Sequence, residues 1–149
     1  MEKLRVEKKD IYTIEVNDDG DTIEFDLLDI GLKIRIIEGI QKLDVLKKTM
    51  KMKEYAILKR KNHPGKVITK NEEDLIEMYD EGFKEMREIA DSFLGKNACQ
   101  KIFGDRNYIE MFEDLFEALA PHLEKMQLNA EAINKRIIEK YTKNSKNVI

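Results

Sequence analysis

Three side chains in this 149-residue sequence are of the kinds that most often do chemistry, and none has a companion at a useful spacing. Cys99 is the single cysteine and precedes apolar Ile102 and Phe103, which predicts a buried small hydrophobe rather than a nucleophile. His63 precedes a Pro-Gly pair and His122 follows a proline. Zinc sites need several Cys or His ligands at short spacings. We therefore expect no metal site, no cofactor and surface positions for both histidines.

Oxygen-bearing side chains at alternate positions raise the alternative of a calcium loop. Asn17, Asp19 and Asp21 have the spacing of the first ligands of such a loop. However, Gly20 stands at the wrong offset, and Leu28 occupies the position at which a glutamate closes a twelve-residue loop. The stretch is therefore predicted to be a polar turn without a metal ion.

Sequence motifs of nucleotide-binding and hydrolytic enzymes are also missing. Gly95 and Gly104 are too far apart for a phosphate-binding loop, and no Gly-Lys-Ser/Thr ending follows them. There is no Gly-x-Ser-x-Gly segment. Acidic pairs are common, but they fall on the polar sides of predicted helices, where solvation is their usual role. We therefore predict a protein without enzymatic activity.

Charge is abundant and is segregated along the chain. Charged residues make up 38% of the sequence, and the net charge is −3. Residues 41–70 carry ten basic and two acidic side chains, whereas residues 71–131 carry six basic and sixteen acidic ones. Segments of opposite sign can pair within one chain or between copies of it. The basic stretch 42–70 also raises the alternative of nucleic-acid binding.

Two alternating segments predict a β-hairpin at residues 11–27. Apolar and polar residues alternate on both sides of the link Asp18-Asp19-Gly20, which is the pattern of paired strands around a turn. The apolar positions are Tyr12, Ile14, Val16, Ile23, Phe25 and Leu27. An isolated β-hairpin is marginally stable. Its apolar face is therefore expected to lie on helices or to pair with another copy.

Apolar residues at steps of three and four predict helices over most of the remaining chain. The predicted ranges are 29–60, 71–94, 97–103, 106–126 and 129–142. Asp29 and Asp105 are the expected N-caps of the first and fourth helices. Thr69 begins a capping box, and Gly95 ends the second helix. Pro121 is expected to kink the fourth helix because it removes an amide donor.

These elements predict a mostly α-helical protein of four to five helices with an N-terminal β-hairpin. Residues 11–142 are expected to form one domain, between a mobile N-terminus at 1–10 and a frayed tail at 143–149. No apolar run approaches the roughly 18 residues of a membrane span. The first ten residues lack the apolar region of a signal peptide. A cytoplasmic protein is therefore expected.

Several segments together resemble the small tail assembly chaperones of tailed bacteriophages and prophages of Gram-positive bacteria. The resemblance covers residues 12–126 and is closest around the Phe-Gly-Asp turn at 103–105. The segments that carry it are the β-hairpin followed by Asp26-Leu27-Leu28-Asp29, the helix ending Ile89-Ala90-Asp91-Ser92-Phe93-Leu94-Gly95, and the stretch from Cys99 through Phe112-Glu113-Asp114-Leu115-Phe116 to Leu119-Ala120-Pro121-His122-Leu123.

The resemblance implies a function in phage tail assembly. Such a chaperone coats the long helical tape measure protein, keeps it soluble while the tail is assembled, and has tail tube subunits as a further partner. A tape measure helix would lie in an apolar groove between helices. Aromatic and apolar side chains of this kind lie in the protein core more often than in a binding groove. The candidate groove residues are Tyr79, Phe83, Met86, Phe93, Phe103, Tyr108, Phe112 and Phe116.

Self-association is also expected, through the strand that carries Tyr12, Ile14 and Val16 or through apolar helical faces. The rival function is a phage-encoded or bacterial regulator that binds nucleic acid through residues 42–70. Tyr55 is the single aromatic residue in that stretch, and no short second helix behind a tight turn indicates a helix-turn-helix reader. The chaperone function is therefore the preferred prediction.

Overall fold

The computed structural model describes residues 1–127 of the chain. The elements follow in the order β1 (Ile11–Glu15), β2 (Thr22–Asp26), α1 (Ile30–Lys59), α2 (Lys70–Leu94), α3 (Ala98–Phe103) and α4 (Met111–Lys125). The prediction of a mostly α-helical protein with an N-terminal β-hairpin is confirmed. Residues 1–10 are exposed and form no helix or strand. The predicted helix at 129–142 and the predicted tail at 143–149 lie outside the described residues.

The two long helices α1 and α2 lie side by side and antiparallel. Met50 of α1 lies against Gly82 of α2, and Gly39 of α1 lies against Phe93 of α2. At both places a Cβ on the glycine would collide with the facing side chain. The absence of a glycine side chain therefore sets how closely the two helices approach.

The connection between α1 and α2 is held by Asn71, which is buried. Its side-chain oxygen accepts a hydrogen bond from Arg60 Nε at 3.2 Å, and its side-chain nitrogen donates to the Arg60 carbonyl at 3.2 Å. Thr69 Oγ1 accepts from the backbone N–H of Glu72 at 3.3 Å, as a helix cap does. Gly95 ends α2 with a φ of 117°. The predicted start and end of α2 are therefore confirmed.

The core lies at the end of the α1–α2 pair where Gly39 meets Phe93. β1 and β2 pair antiparallel, with Ile14 opposite Ile23, and pack against this end. Within the described residues, no side chain of α1 beyond Met50 is buried. The buried apolar residues are Ile23, Phe25, Leu32, Ile36, Leu43, Met50, Phe83, Met86, Ala90, Phe93, Leu94, Ala98, Cys99, Met111, Phe112, Leu115, Leu119 and Met126.

Asp29 is the N-cap residue of α1, as predicted, but its carboxylate makes no capping hydrogen bond. The carboxylate instead accepts a hydrogen bond from the Arg35 guanidinium at 2.9 Å. This charge-assisted contact is the main reason why the pKa of Asp29 is lowered. The first turn of α1 is closed by the Asp29 carbonyl, which accepts from the Leu32 N–H.

The predicted start of the fourth helix at residue 106 is also wrong, since α4 begins at Met111. Asp105 does not cap it, because its carboxylate accepts a hydrogen bond from Gln100 Nε2 at 3.1 Å. The carbonyls of Gly104 and Arg106 accept hydrogen bonds from Arg87 on α2. These contacts hold residues 104–110 as a loop. α4 then continues through Pro121 to Lys125, and its predicted kink stays a prediction.

The two helix-contact glycines should respond differently to alanine. In a helix interior Gly→Ala normally gains up to about 1 kcal/mol. At Gly39 the new Cβ would strike the buried ring of Phe93, and overpacking of this kind costs about 1–3 kcal/mol. At Gly82 it would strike the flexible end of Met50, which can turn away.

We therefore expect Gly39→Ala to lower the free energy of unfolding, measured in urea, by up to about 2 kcal/mol, and Gly82→Ala to change it by less than about 1 kcal/mol. Equal effects of the two substitutions would contradict this account of the helix contact.

Candidate functional site

An apolar groove runs between α1 and α2 on the side where α4 packs. We call it the front groove. It contains two adjoining hollows of about 190 and 70 Å³, which share Lys47, Met86 and Ile109. Its lining comes from α1, α2, the 104–110 loop and the first turns of α4: Ile40, Leu43, Asp44, Lys47, Met50, Lys51, Glu54, Tyr79, Phe83, Met86, Ile109, Phe112, Glu113 and Phe116.

Five of the eight predicted groove residues line the front groove. They are Tyr79, Phe83, Met86, Phe112 and Phe116. Phe83, Met86 and Phe112 are buried and form the floor, while Tyr79 and Phe116 are half-buried. The Tyr79 and Phe83 rings stack with their centroids 6.1 Å apart. These side chains pack into the core on one side and line the front groove on the other.

The other three predicted residues lie elsewhere in the core. Phe93 is buried beneath the groove and stacks on Phe116 at 6.3 Å. Phe103 packs edge-on against Tyr108 at 6.2 Å and against Phe112 at 6.0 Å. Phe103 and Tyr108 therefore tie α3 and the following loop to α4, and they do not line the front groove.

The sequence prediction did not include the groove residues Ile40, Leu43 and Ile109. Ile40 and Leu43 belong to α1, where apolar residues occur on every side and no single stripe stands out. Ile109 was predicted to lie within a helix, but it lies in the loop before α4 and is 67% exposed at the edge of the groove. The helical spacing of Ile40 and Leu43 was a usable signal, whereas nothing in the sequence indicated the position of Ile109.

Charged side chains of both signs form the rim of the front groove. The Lys47 ammonium of α1 pairs with the Glu113 carboxylate of α4. Glu54 of α1 forms a hydrogen bond with the Tyr79 hydroxyl of α2, and burial together with this carboxylate raises the pKa of Tyr79. Such a rim selects an apolar occupant without a strong preference for either charge.

The front groove continues past α4 toward the α1–α2 connection. Ile76 precedes Tyr79 by three residues on α2, and Leu58 follows Glu54 by four on α1, so both continue the groove-lining stripes. They are 60% and 59% exposed. α4 thus packs over only part of a longer apolar surface.

Arg87 of α2 positions the loop that carries Ile109. Its guanidinium donates to the Gly104 carbonyl at 3.0 Å, the Arg106 carbonyl at 2.7 Å and the Asn107 side-chain oxygen at 2.8 Å. Arg87 therefore holds one wall of the front groove.

Several side chains of the basic stretch 42–70 are already paired. Lys47 pairs with Glu113, Lys48 with Asp44 at 2.9 Å, and Lys70 with Asp74 at 3.4 Å. Arg60 pairs with the same Asp74. Lys42, Lys51 and Lys53 take part in no ion pair within residues 1–127, so pairing neutralises only part of the basic stretch.

The predicted self-association residues Tyr12, Ile14 and Val16 point toward the helices. All three are half-buried and pack against the core. The prediction of a surface position for His122 is wrong, because its Nδ1 lies 2.9 Å from the Tyr12 hydroxyl in a hydrogen bond and its ring is half-buried. In contrast, His63 is exposed as predicted. Strand pairing with another copy could use only the backbone edge of β1.

The turn between β1 and β2 is organised by hydrogen bonds to one side chain. The Asn17 side-chain oxygen accepts from the backbone N–H groups of Asp19 and Asp21, and its nitrogen donates to the Lys101 carbonyl of α3. Gly20 has a φ of 82°, which glycine adopts readily. Within residues 1–127, no group of three or more His, Cys, Asp or Glu side chains is placed to hold a metal ion.

In the described part of the chain, no helix has the length and apolar character needed to cross a bilayer.

Comparison with known proteins gives one match. The model of a family of unknown function, DUF6673, matches residues 19–147. The chain belongs to this family. The matched DUF6673 region contains every residue of the front groove. No curated protein and no solved structure matches the chain.

The buried thiol of Cys99 should be unreactive in the folded protein. Burial is the main reason why its pKa is raised from 9.0 to about 12, and the neighbouring Asp91 carboxylate adds to the shift. Its thiolate at pH 8 should therefore be about a thousandfold scarcer than in the unfolded chain. We expect a chromogenic disulfide reagent at pH 8 to label Cys99 rapidly in guanidinium chloride and very slowly in the native state. Rapid native labelling would show that Cys99 is accessible.

Removal of the Arg87 charge should loosen the loop that borders the front groove. Arg87→Met keeps most of the apolar stem and loses the hydrogen bonds to residues 104, 106 and 107. We expect faster amide hydrogen exchange in residues 104–110, followed by mass spectrometry. Lys84→Met is the matched control, because Lys84 is exposed and pairs only with Asp80 one turn away. Unchanged exchange in Arg87→Met would show that other contacts hold the loop.

Proposed function

We propose that this protein is a non-catalytic assembly chaperone of bacteriophage tails, which binds the helical tape measure protein and keeps it soluble during tail assembly. The front groove is the observation that carries the proposal. Its apolar floor lies between two long helices, as helix-in-groove recognition requires. The resemblance of residues 12–126 to tail assembly chaperones supplies the identity of the partner.

The dimensions of the front groove suit a helix of several turns. Beyond the part covered by α4, from Lys47 to Leu58, the groove follows 11 residues of α1, which at 1.5 Å per residue is about 17 Å. A partner helix lying along it would bury about three turns of its apolar stripe. A tape measure protein is a long amphipathic helix and offers such stripes repeatedly.

α4 shows how an apolar helix sits against this surface. It presents Phe112 and Phe116, one turn apart, to the floor formed by α1 and α2. The exposed Ile76 and Leu58 continue this floor beyond the start of α4. A partner helix would use the same spacing of three and four residues to cover them.

The chaperone would act in the cytoplasm of the bacterial host, with tail tube subunits as a second partner. The nucleic-acid-binding alternative is less well supported, because ion pairs with Glu113, Asp44 and Asp74 occupy part of the basic stretch.

Co-expression with the tape measure protein encoded beside this gene tests the proposal. The native protein should increase the soluble fraction of the tape measure protein. Ile109→Asp and Ile76→Asp should abolish the effect, since each puts a carboxylate on an exposed part of the apolar groove. Met52→Asp is the matched control, because Met52 is 72% exposed but does not line the front groove.

Two outcomes would contradict the chaperone function. One is a tape measure protein that stays equally insoluble with and without this protein. The other is binding of duplex DNA that weakens steeply with salt and is lost on charge reversal of Lys47, Lys48 and Lys51, as phosphate contacts predict.

A further inference from the structure

A second groove lies on the opposite side of the α1–α2 pair. We call it the back groove, and all of its lining comes from these two helices. Val45 in its wall is 63% exposed, and Leu46, Met78 and Ile89 are half-buried. No other element within residues 1–127 lines it. The lining residues are Glu38, Gln41, Lys42, Val45, Leu46, Thr49, Met50, Lys53, Ala56, Ile57, Arg60, Asp74, Glu77, Met78, Glu81, Gly82, Glu85 and Ile89.

The charges along the back groove are separated by helix. The α1 side carries the basic residues Lys42, Lys53 and Arg60, with Glu38 as an acidic exception at one end. The α2 side carries only acidic charges: Asp74, Glu77, Glu81 and Glu85. An apolar floor thus lies between a mostly basic edge and an acidic edge.

Most of these charges are not used by the described fold. Arg60 and Asp74 pair with each other. In contrast, Lys53, Glu81 and Glu85 take part in none of the ion pairs or side-chain hydrogen bonds found in residues 1–127. A partner that places acidic residues against α1 and basic residues against α2 would pair with these side chains.

A second copy of the chain has this charge arrangement. If two back grooves face each other across a two-fold axis parallel to the helices, α1 of one copy lies opposite α2 of the other. The rotation preserves height along the axis, so residues level with each other in one copy are also level across the interface. Met50 contacts Gly82, which places Lys53 within about one turn of Glu81. The basic edge of each copy then faces the acidic edge of the other, so the dimer contains two such contacts.

The alternative two-fold axis, perpendicular to the helices, is disfavoured. It would place α1 opposite α1 and α2 opposite α2, so that Lys53 would approach basic residues and Glu81 would approach acidic ones. Like charges in contact across an interface oppose association. Charge therefore selects the arrangement with the axis parallel to the helices.

The surface is large enough for a weak to moderate dimer. From residue 38 to residue 60, α1 is about 33 Å long, and two neighbouring helices are roughly 20 Å wide. Each copy would contribute roughly 650 Å², or about 1,300 Å² in total, which lies within the range of specific interfaces.

We propose that the protein forms a two-fold symmetric dimer through the back groove, in which the α1–α2 pairs of two copies form a four-helix bundle. The front groove, on the opposite side, stays open to a partner in this dimer. The interface differs from the predicted strand pairing through β1, and it does not depend on the chaperone function.

Two charge-reversed variants of the full chain test this dimer. The first carries Lys42→Glu and Lys53→Glu, and the second carries Glu81→Lys and Glu85→Lys. Sedimentation equilibrium should show a dimer for the native protein and self-association weakened about a hundredfold for each variant alone. An equimolar mixture of the two variants should form a heterodimer, because every facing pair is again of opposite sign. A tag on one variant identifies the mixed species.

The control carries Lys48→Glu and Lys51→Glu, which reverse the same number of charges on α1 outside the back groove. This control should dimerise like the native protein. A native protein that stays monomeric at 100 times the dissociation constant of a micromolar dimer would overturn the proposal. Variants that dimerise alone, or that fail to associate when mixed, would overturn it as well. Native circular dichroism spectra for both variants exclude unfolding as the cause.

Discussion

The close contact between α1 and α2 is the constraint on which the rest of this structure depends. Two glycines, one on each helix, receive the side chains of Phe93 and Met50 and let the helix axes approach. Because the contacts lie near both the core end and the middle, they fix the relative rotation of the helices. That rotation decides which stripe of each helix lies in the front groove and which lies in the back groove.

α1 is apolar on more sides than one neighbouring helix can cover. A helix of this kind is stable only when further layers bury its remaining apolar faces. The β-hairpin, α3 and α4 provide such layers at the core end, where Leu32 and Ile36 are buried. Toward the α1–α2 connection the described chain offers no third layer, and Val45, Met52 and Leu58 stay exposed. The front groove and the back groove both extend over this half of the helix pair, on opposite sides.

Polar contacts determine how the smaller elements sit on the helix pair. Asn71 joins the end of α1 to the start of α2, and Arg87 holds the loop before α4 by its backbone carbonyls. Asn17 joins the β-hairpin turn to α3. Each side chain satisfies backbone groups that regular structure leaves unpaired, which is the condition for burying a loop against a core. Such contacts join residues far apart in sequence and have no local signature.

The sequence by itself determined the elements whose signals are local. Alternation on both sides of Asp18-Asp19-Gly20 was sufficient for the β-hairpin, and the Thr69 cap and Gly95 were sufficient for the limits of α2. The buried position of Cys99 also followed from its apolar neighbours. Tertiary structure decided the rest. The loop that Arg87 contacts occupies residues predicted to be helical, so α4 begins only at Met111. His122 is half-buried in a hydrogen bond with Tyr12. Tertiary structure also separated Phe93, Phe103 and Tyr108 from the five predicted residues that line the front groove. An amphipathic stripe shows which side of a helix is buried, but only packing shows what covers it, because the covering residues come from distant parts of the chain.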